Sequence, residues 1–260
     1  MPIPPPALQG LAVALVLMGL VWVGSLATRD ASLVDRFWGA GFVVLSWWYF
    51  LQGPAGAGHW LPRLSLTLVT IWGLRLSLHI TWRNWGHGED PRYAAMRQAG
   101  GPRWHLQSLF TVFGLQGMLL WVIATPLYVA VTSDRTPSLP LVALGVTCWL
   151  VGFAFEAGGD WQLARFKANP AHRGQVLDTG FWRYTRHPNY FGDSACWWGF
   201  YLLAAAVGGW WTIFAPVLMT VLLVRVSGVA LLEKSLVNAK PAYREYIRRT
   251  NAFIPGPRRP

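Results

Sequence analysis

Charge is scarce in this sequence: only 13% of its 260 residues are Asp, Glu, Lys or Arg, against about a quarter in an ordinary soluble domain. Acids are scarcer than bases, 11 against 22. There are two cysteines, Cys148 and Cys196, each in an apolar stretch without a second Cys nearby. That excludes a disulfide framework and any Cys-based metal spacing, so both read as core residues and no metal is expected. The chain shows no internal repeat, no low-complexity linker and no polar stretch long enough for a separate soluble domain. Its first residues lack a basic n-region and an A-x-A cleavage site, and the N-terminal apolar segment reads as a retained helix, not a signal peptide.

Apolar residues, by contrast, make up 53% of the chain, with 17 Trp, and they come in blocks. A helix needs about 20 apolar residues to cross a bilayer. The blocks 7–27, 36–52, 64–82, 108–131, 139–158, 195–208 and 210–232 therefore predict an all-α integral membrane protein, a bundle of seven transmembrane helices in a single domain. Pro4, Pro5 and Pro6 suit the entry to the first helix, and Pro62, Pro137 and Pro140 fall in connections. Pro126 and Pro216 are expected to kink the fourth and seventh helices, which a bundle tolerates when neighbours satisfy the freed carbonyls.

The formal net charge of +11 would raise nucleic acid as a partner for a soluble protein. In a membrane protein, cytoplasmic loops are rich in Lys and Arg. With the N-terminus outside, all of the 22 bases but four fall in the inside loops and C-terminal tail. The exceptions are Arg63 and Arg135 outside, and Arg75 and Arg225 within spans. The distribution predicts an outside N-terminus and a cytoplasmic C-terminus, with membrane lipid and not nucleic acid as the surrounding partner.

Ionisable residues within membrane helices are costly and mark functional sites by default. Here they are Asp35 at the mouth of the second helix, Arg75 and His79 in the third, Glu156 and Asp160 ending the fifth, Asp193 opening the sixth, and Arg225 and Glu233 in the seventh. Glu156 and Asp160 share a face at i, i+4, as do Arg75 and His79; intrahelical or interhelical ion pairs are the plain structural alternative. The densest segment is 183–193, just before the sixth helix. Arg183 and Arg186 offer planar forks for phosphate, Tyr184 and Tyr190 offer stacking faces, Gly192 permits close approach of the backbone, and Asp193 suits ribose hydroxyls or an amide.

The run Thr179-Gly180-Phe181-Trp182-Arg183-Tyr184-Thr185-Arg186-His187-Pro188-Asn189-Tyr190-Phe191-Gly192-Asp193, followed by Trp197-Trp198-Gly199, closely resembles the signature of the steroid 5-alpha-reductase family, nearest to its bacterial branch. The likeness continues through Asp160-Trp161-Gln162-Leu163-Ala164-Arg165-Phe166-Lys167, Glu233-Lys234-Ser235-Leu236, Tyr243, Tyr246 and Phe253-Ile254-Pro255. The N-terminal half matches more weakly, at Val34-Asp35-Arg36-Phe37-Trp38 and Trp82-Arg83-Asn84-x-Gly86. The resemblance implies a monomeric seven-helix reductase, in a bacterial inner membrane, that uses NADPH to reduce the 4,5 double bond of 3-oxo-4-ene steroids or similar enones. It puts the cofactor on Asp160, Lys167, Tyr184, Arg186, Asn189, Asp193 and Arg225, with Glu156 standing where relatives carry Asn. Arg173, Arg183, His187, Tyr190, Glu233 and Tyr246 complete the expected cofactor face. Residues 1–107 are expected to form the substrate pocket and 108–260 the cofactor site.

That family polarises the substrate carbonyl with a Gln-Glu pair opening the second helix and a Tyr in the third. Val34-Asp35 falls on the pair; the Tyr has no clear counterpart, and Arg75, His79 and, further along, Tyr93 are the candidates. Hydride delivery to the β carbon of an enone builds negative charge on the carbonyl oxygen, which needs a donor. A desolvated carboxyl has a raised pKa, so Asp35 can stay protonated and donate. Phe37, Trp38 and Trp48, with Trp22, Trp47 and Trp72, are candidates for a flat apolar slot, against the plainer reading as lipid-facing or belt aromatics. Two other classes compete. Membrane isoprenylcysteine carboxyl methyltransferases share an Arg-His-Pro-x-Tyr-x-Gly segment but take S-adenosylmethionine. A transporter or lipid-binding scaffold also buries charge, though usually with paired broken helices in related halves.

Overall fold

The computed structural model describes residues 5–53, 60–226 and 242–259, and every regular element among them is helical. Among the described residues, four helical runs are long and apolar enough to cross a membrane: Pro5–Thr28, Trp60–Asn84, Pro91–Ile123 and Leu139–Ala168. A shorter apolar run covers Trp210–Arg225. The contacts divide the chain into two compact units, Met1–Thr136 and Pro137–Pro260.

In the first unit, α1 (Pro5–Thr28) and α2 (Leu33–Gln52) are joined by a tight turn in which Arg29 takes a left-handed φ of 54°. α3 (Trp60–Asn84) crosses α2 where Gly39 meets Gly73: a Cβ on Gly73 would lie 2.5 Å from the Gly39 carbonyl oxygen. One turn on, the Ser77 hydroxyl accepts a hydrogen bond from the Ala40 N–H at 2.8 Å. Pro62 lies in the first turn of α3, not in a connection, because an N-terminal turn has no use for its missing N–H. α4 (Pro91–Gly100) is capped by Asp90, whose carboxylate accepts from the Arg92 N–H. The fourth expected span is segmented: α5 (Trp104–Ser108), a π-turn (Leu109–Gly114), α6 (Leu115–Ile123) and α7 (Thr125–Thr132). The break falls at Ala124, two residues ahead of Pro126, where the ring would collide with the preceding turn.

In the second unit, α8 (Leu139–Ala168) packs along α9 (Pro188–Ala205) through glycines two turns apart. Gly145, Gly152 and Gly159 on α8 oppose Gly199, Gly192 and Pro188 on α9. A Cβ on Gly152 would meet the Cys196 nitrogen and the Gly192 oxygen at 2.6 Å, and one on Gly192 would overlap the backbone of Gly152 and Glu156. Both helices outrun their apolar blocks. α8 carries its polar end to Ala168, and α9 begins at Pro188, because a proline at the first helical position is pre-set in φ. Asn189 and Asp193 therefore sit on helix and not in loop. Pro140 likewise falls inside the first turn of α8. Pro216 lies in the first turn of α10 (Phe214–Val221), directly after a 3₁₀ turn at Trp210–Ile213. A π-turn (Leu222–Val226) follows, and α11 (Ala242–Arg249) leads to the tail. Cys196 is buried, and Cys148 points its thiol at the Ala195 carbonyl (3.3 Å).

Gly192→Val should prevent α8 and α9 from closing, whereas Gly19→Val, which meets nothing within 4 Å, should fold normally. Overpacking costs about 1–3 kcal/mol where a site can relax, and backbone contact leaves little room to relax. Thermal unfolding in detergent checks this; equal melting temperatures for the two variants would contradict it.

Candidate functional site

Two polar clusters stand out, one in each unit. In the second, the close approach of α8 and α9 leaves Glu156 and Asp160 buried on α8 and Asp193 buried on α9. The Asn189 amide nitrogen donates to Asp160 Oδ1 at 3.0 Å, joining the two helices. The connection between them folds back on α8: Trp182 Nε1 donates to the Gly159 carbonyl (3.0 Å) and Phe181 N–H to Gln162 Oε1 (3.0 Å). The left-handed φ of 60° at Gly180 permits that return. His187 is buried and its ring stacks on Tyr190 with centroids 5.7 Å apart. Lys167, Arg173, Arg183 and Tyr184 are exposed, as is Arg225 in the π-turn.

The C-terminal tail is stitched to the same connection. Thr185 Oγ1 donates to the Phe253 carbonyl (2.8 Å), Arg186 N–H to the Asn251 carbonyl (2.9 Å), and Gly256 N–H to the Tyr184 carbonyl (3.0 Å). Arg258 pairs with Asp178 at 2.6 Å. Arg186, expected to hold phosphate, is buried, and its Nη1 donates to the Ile247 and Thr250 carbonyls at the end of α11. Tyr246, also expected at the cofactor, is buried and donates its hydroxyl to the Trp182 carbonyl; burial pushes its phenol above the ordinary value. Both side chains fasten the tail to the connection. Glu233 lies outside the described residues. On a different face of α8 from Glu156 and Asp160, an open groove of about 490 Å³ is lined by Trp161, Arg165, Phe166 and His172 among others.

In the first unit, Asp35 opens α2 just ahead of the apolar run and gathers partners from α4. The Tyr93 hydroxyl donates to Asp35 Oδ1 at 2.8 Å, and Arg92 Nη2 donates to Oδ2 at 3.1 Å. Arg92 also binds Asp90 through Nε at 2.9 Å. Beside this cluster, Glu89 accepts from the Ala31 N–H (2.7 Å) and from Arg97 Nη2 (2.8 Å), and the Arg97 bond holds its carboxyl below the usual carboxylate range. Asp30 receives Arg36 at 2.8 Å.

Of the four candidates for carbonyl activation, the structure brings Asp35 and Tyr93 together. Arg75 and His79 lie part-buried on α3, with the His79 ring 6.0 Å from Trp82. The six aromatics proposed for one slot differ in exposure. Trp72 is fully buried, Phe37 and Trp47 are exposed, Trp38 meets Phe42 edge-on at 5.3 Å, and Trp22 donates to the His105 carbonyl. Trp48 is part-buried beside them on α2. Sequence reasoning missed Glu89, Asp90, Arg92 and Arg97. Their signal was the charge density of 89–97 in a chain otherwise poor in acids.

A family model described as "Protein of unknown function (DUF1295)" matches residues 21–250. An uncharacterized protein of Schizosaccharomyces pombe is 27% identical over 285 residues, covering 96% of this chain and 80% of the relative. No solved structure matches the chain.

The Glu89 pKa is depressed on folding. Its contribution to stability is therefore fully present above the ordinary value of 4.5 and is lost as pH falls through the lower folded value. Melting temperatures from about pH 6 down to about pH 3 should fall more steeply for the native protein than for Glu89→Gln. Parallel curves would contradict this.

Proposed function

Given that this chain belongs to the DUF1295 family, a membrane family related to the steroid 5-alpha-reductases, we propose that it is an NADPH-dependent enone reductase. In this reading it saturates the 4,5 double bond of 3-oxo-4-ene steroids or similar flat enones. The single observation that carries the reading is the pair formed by Asp35 and Tyr93, whose hydroxyl and carboxyl lie 2.8 Å apart at the mouth of α2. An enone needs such a donor, because its carbonyl oxygen becomes anionic as the β carbon is reduced.

The donor set of the second unit fits the cofactor. Asp160, Asn189 and Asp193 are hydrogen-bonding groups suited to ribose hydroxyls and a carboxamide, and Lys167, Arg173 and Arg183 supply exposed cations for phosphates. NADPH, when bound, supplies the hydride. The chain's own residues do the rest. Asp35 and Tyr93 hold a proton between them and present it to the carbonyl oxygen, and Arg92 steadies the charge on Asp35. His187 and Tyr190, stacked and part of the α9 entry, shape the wall beside Asn189. Arg186 and Tyr246 act at one remove, through the tail.

The same reading takes the chain as seven-spanning, with α2, α9 and the Trp210–Arg225 run joining the four longer helices. It sets the N-terminus outside and the cofactor face and C-terminus in the cytoplasm, in a bacterial inner membrane, since the basic loops follow that side. A reporter fused to the C-terminus should be active only in its cytoplasmic form.

NADPH should raise the melting temperature of the detergent-purified protein; stabilisation by S-adenosylmethionine alone would sink the reductase reading in favour of a methyltransferase. Asn189→Ala and Asp193→Ala should abolish NADPH consumption with a 4-ene-3-one such as progesterone, in protein that still folds. Asp35→Asn should slow turnover while leaving NADPH affinity within about twofold, because its interaction is made with the transition state and not with the cofactor. Full rates in all three variants would contradict the site.

A further inference from the structure

Glu89 belongs to none of the motifs that suggest the reaction, yet it is bound on three sides. Its Oε1 accepts from the Ala31 N–H (2.7 Å) and Arg97 Nη2 (2.8 Å), and its Oε2 accepts from Arg97 Nε (2.9 Å). Only 12% of its side chain is exposed. Ala31 is buried in the turn between α1 and α2, four residues ahead of Asp35. Arg97 is on α4, four residues after Tyr93. Residues four apart share a helix face. The face of α4 that turns Tyr93 toward Asp35 therefore also turns Arg97 toward Glu89. The Asp90 cap fixes where α4 starts, but a cap at one end does not fix how a ten-residue helix is rotated. A two-pronged carboxylate–guanidinium pair is directional and does. Arg97 is braced in turn, its guanidinium 5.7 Å from the Trp104 ring.

Resting on the reading of the site as a carbonyl-polarising pair, we propose that Glu89 is its positioning residue. It ties α4 to the turn before α2 and so holds the Tyr93 hydroxyl on Asp35. Gln at this position keeps an oxygen for the Ala31 N–H but turns an amide N–H₂ against the donor fork of Arg97, so Glu89→Gln removes the tie with little change of shape. Arg97→Lys removes the fork from the other side.

The tie is read without turnover by ¹⁹F NMR of the full-length protein labelled with 3-fluorotyrosine, the Tyr93 resonance being assigned by its loss in Tyr93→Phe. Asp35→Asn marks the position of that resonance without the carboxylate. Glu89→Gln and Arg97→Lys should both move the resonance toward the Asp35→Asn position, while Glu245→Gln, on α11, should leave it in place. A Tyr93 resonance in Glu89→Gln that coincides with the native one overturns the proposal. With an enone substrate, Glu89→Gln should lower kcat about tenfold or more with the KM for NADPH within about twofold. On a Tyr93→Phe background it should cost nothing further, since residues acting through one another are not additive. Full additivity overturns the proposal too. If the resonance moves as expected but the native protein reduces no enone, the functional reading fails and the positioning role stands.

Discussion

The contact on which the second unit depends is backbone against backbone, where α8 and α9 touch at Gly152 and Gly192 with no room for a Cβ. Inside lipid there is no hydrophobic force to press two helices together, so close packing of small residues supplies the attraction. The two-turn spacing of Gly145, Gly152 and Gly159 keeps that contact in line along α8. It also sets the chemistry. Residues flanking the glycine seam are drawn out of water with it, and this is why Glu156 and Asp160 on α8 and Asp193 on α9 are buried. The Asn189–Asp160 hydrogen bond then closes the seam at its polar end.

The first unit solves a different problem with the same scarcity of charge. Nearly every acid of its polar stretch is matched with an arginine: Asp30 with Arg36, Asp35 and Asp90 with Arg92, Glu89 with Arg97. Such pairs contribute little on an open surface. Here they satisfy N–H groups in a buried turn and orient α4, so their value lies in geometry more than in energy. The Asp35–Tyr93 pair sets a phenol hydroxyl beside a carboxyl at the mouth of an apolar helix.

Much of the helical plan was legible because it rests on composition: long apolar blocks locate helices whatever their partners. Ends were less legible. α9 starts at Pro188, seven residues before its apolar block, because proline suits a first turn, and Pro216 fell in a first turn for the same reason. In the candidate site, Asp160, Asn189 and Asp193 stand out in the sequence as polar residues where polarity is costly. Arg186 and Tyr246 were read by residue type as ligand groups, but their partners are carbonyls more than 60 residues away along the chain. The pairing of Asp35 with Tyr93 was hidden for the same reason: they stand 58 residues apart, and no local period links a helix mouth to a later loop helix.

The proposed reaction is hydride transfer from NADPH to the β carbon of an enone. Its most direct test follows the hydride itself. The purified protein would be incubated with a 4-ene-3-one and NADPH deuterated at the nicotinamide C4, on one face and then on the other, and the product analysed by mass spectrometry and NMR. One deuterium per product molecule is expected at the former β carbon from one of the two cofactors. A product without deuterium from either, or unaltered enone beside intact NADPH, would contradict it.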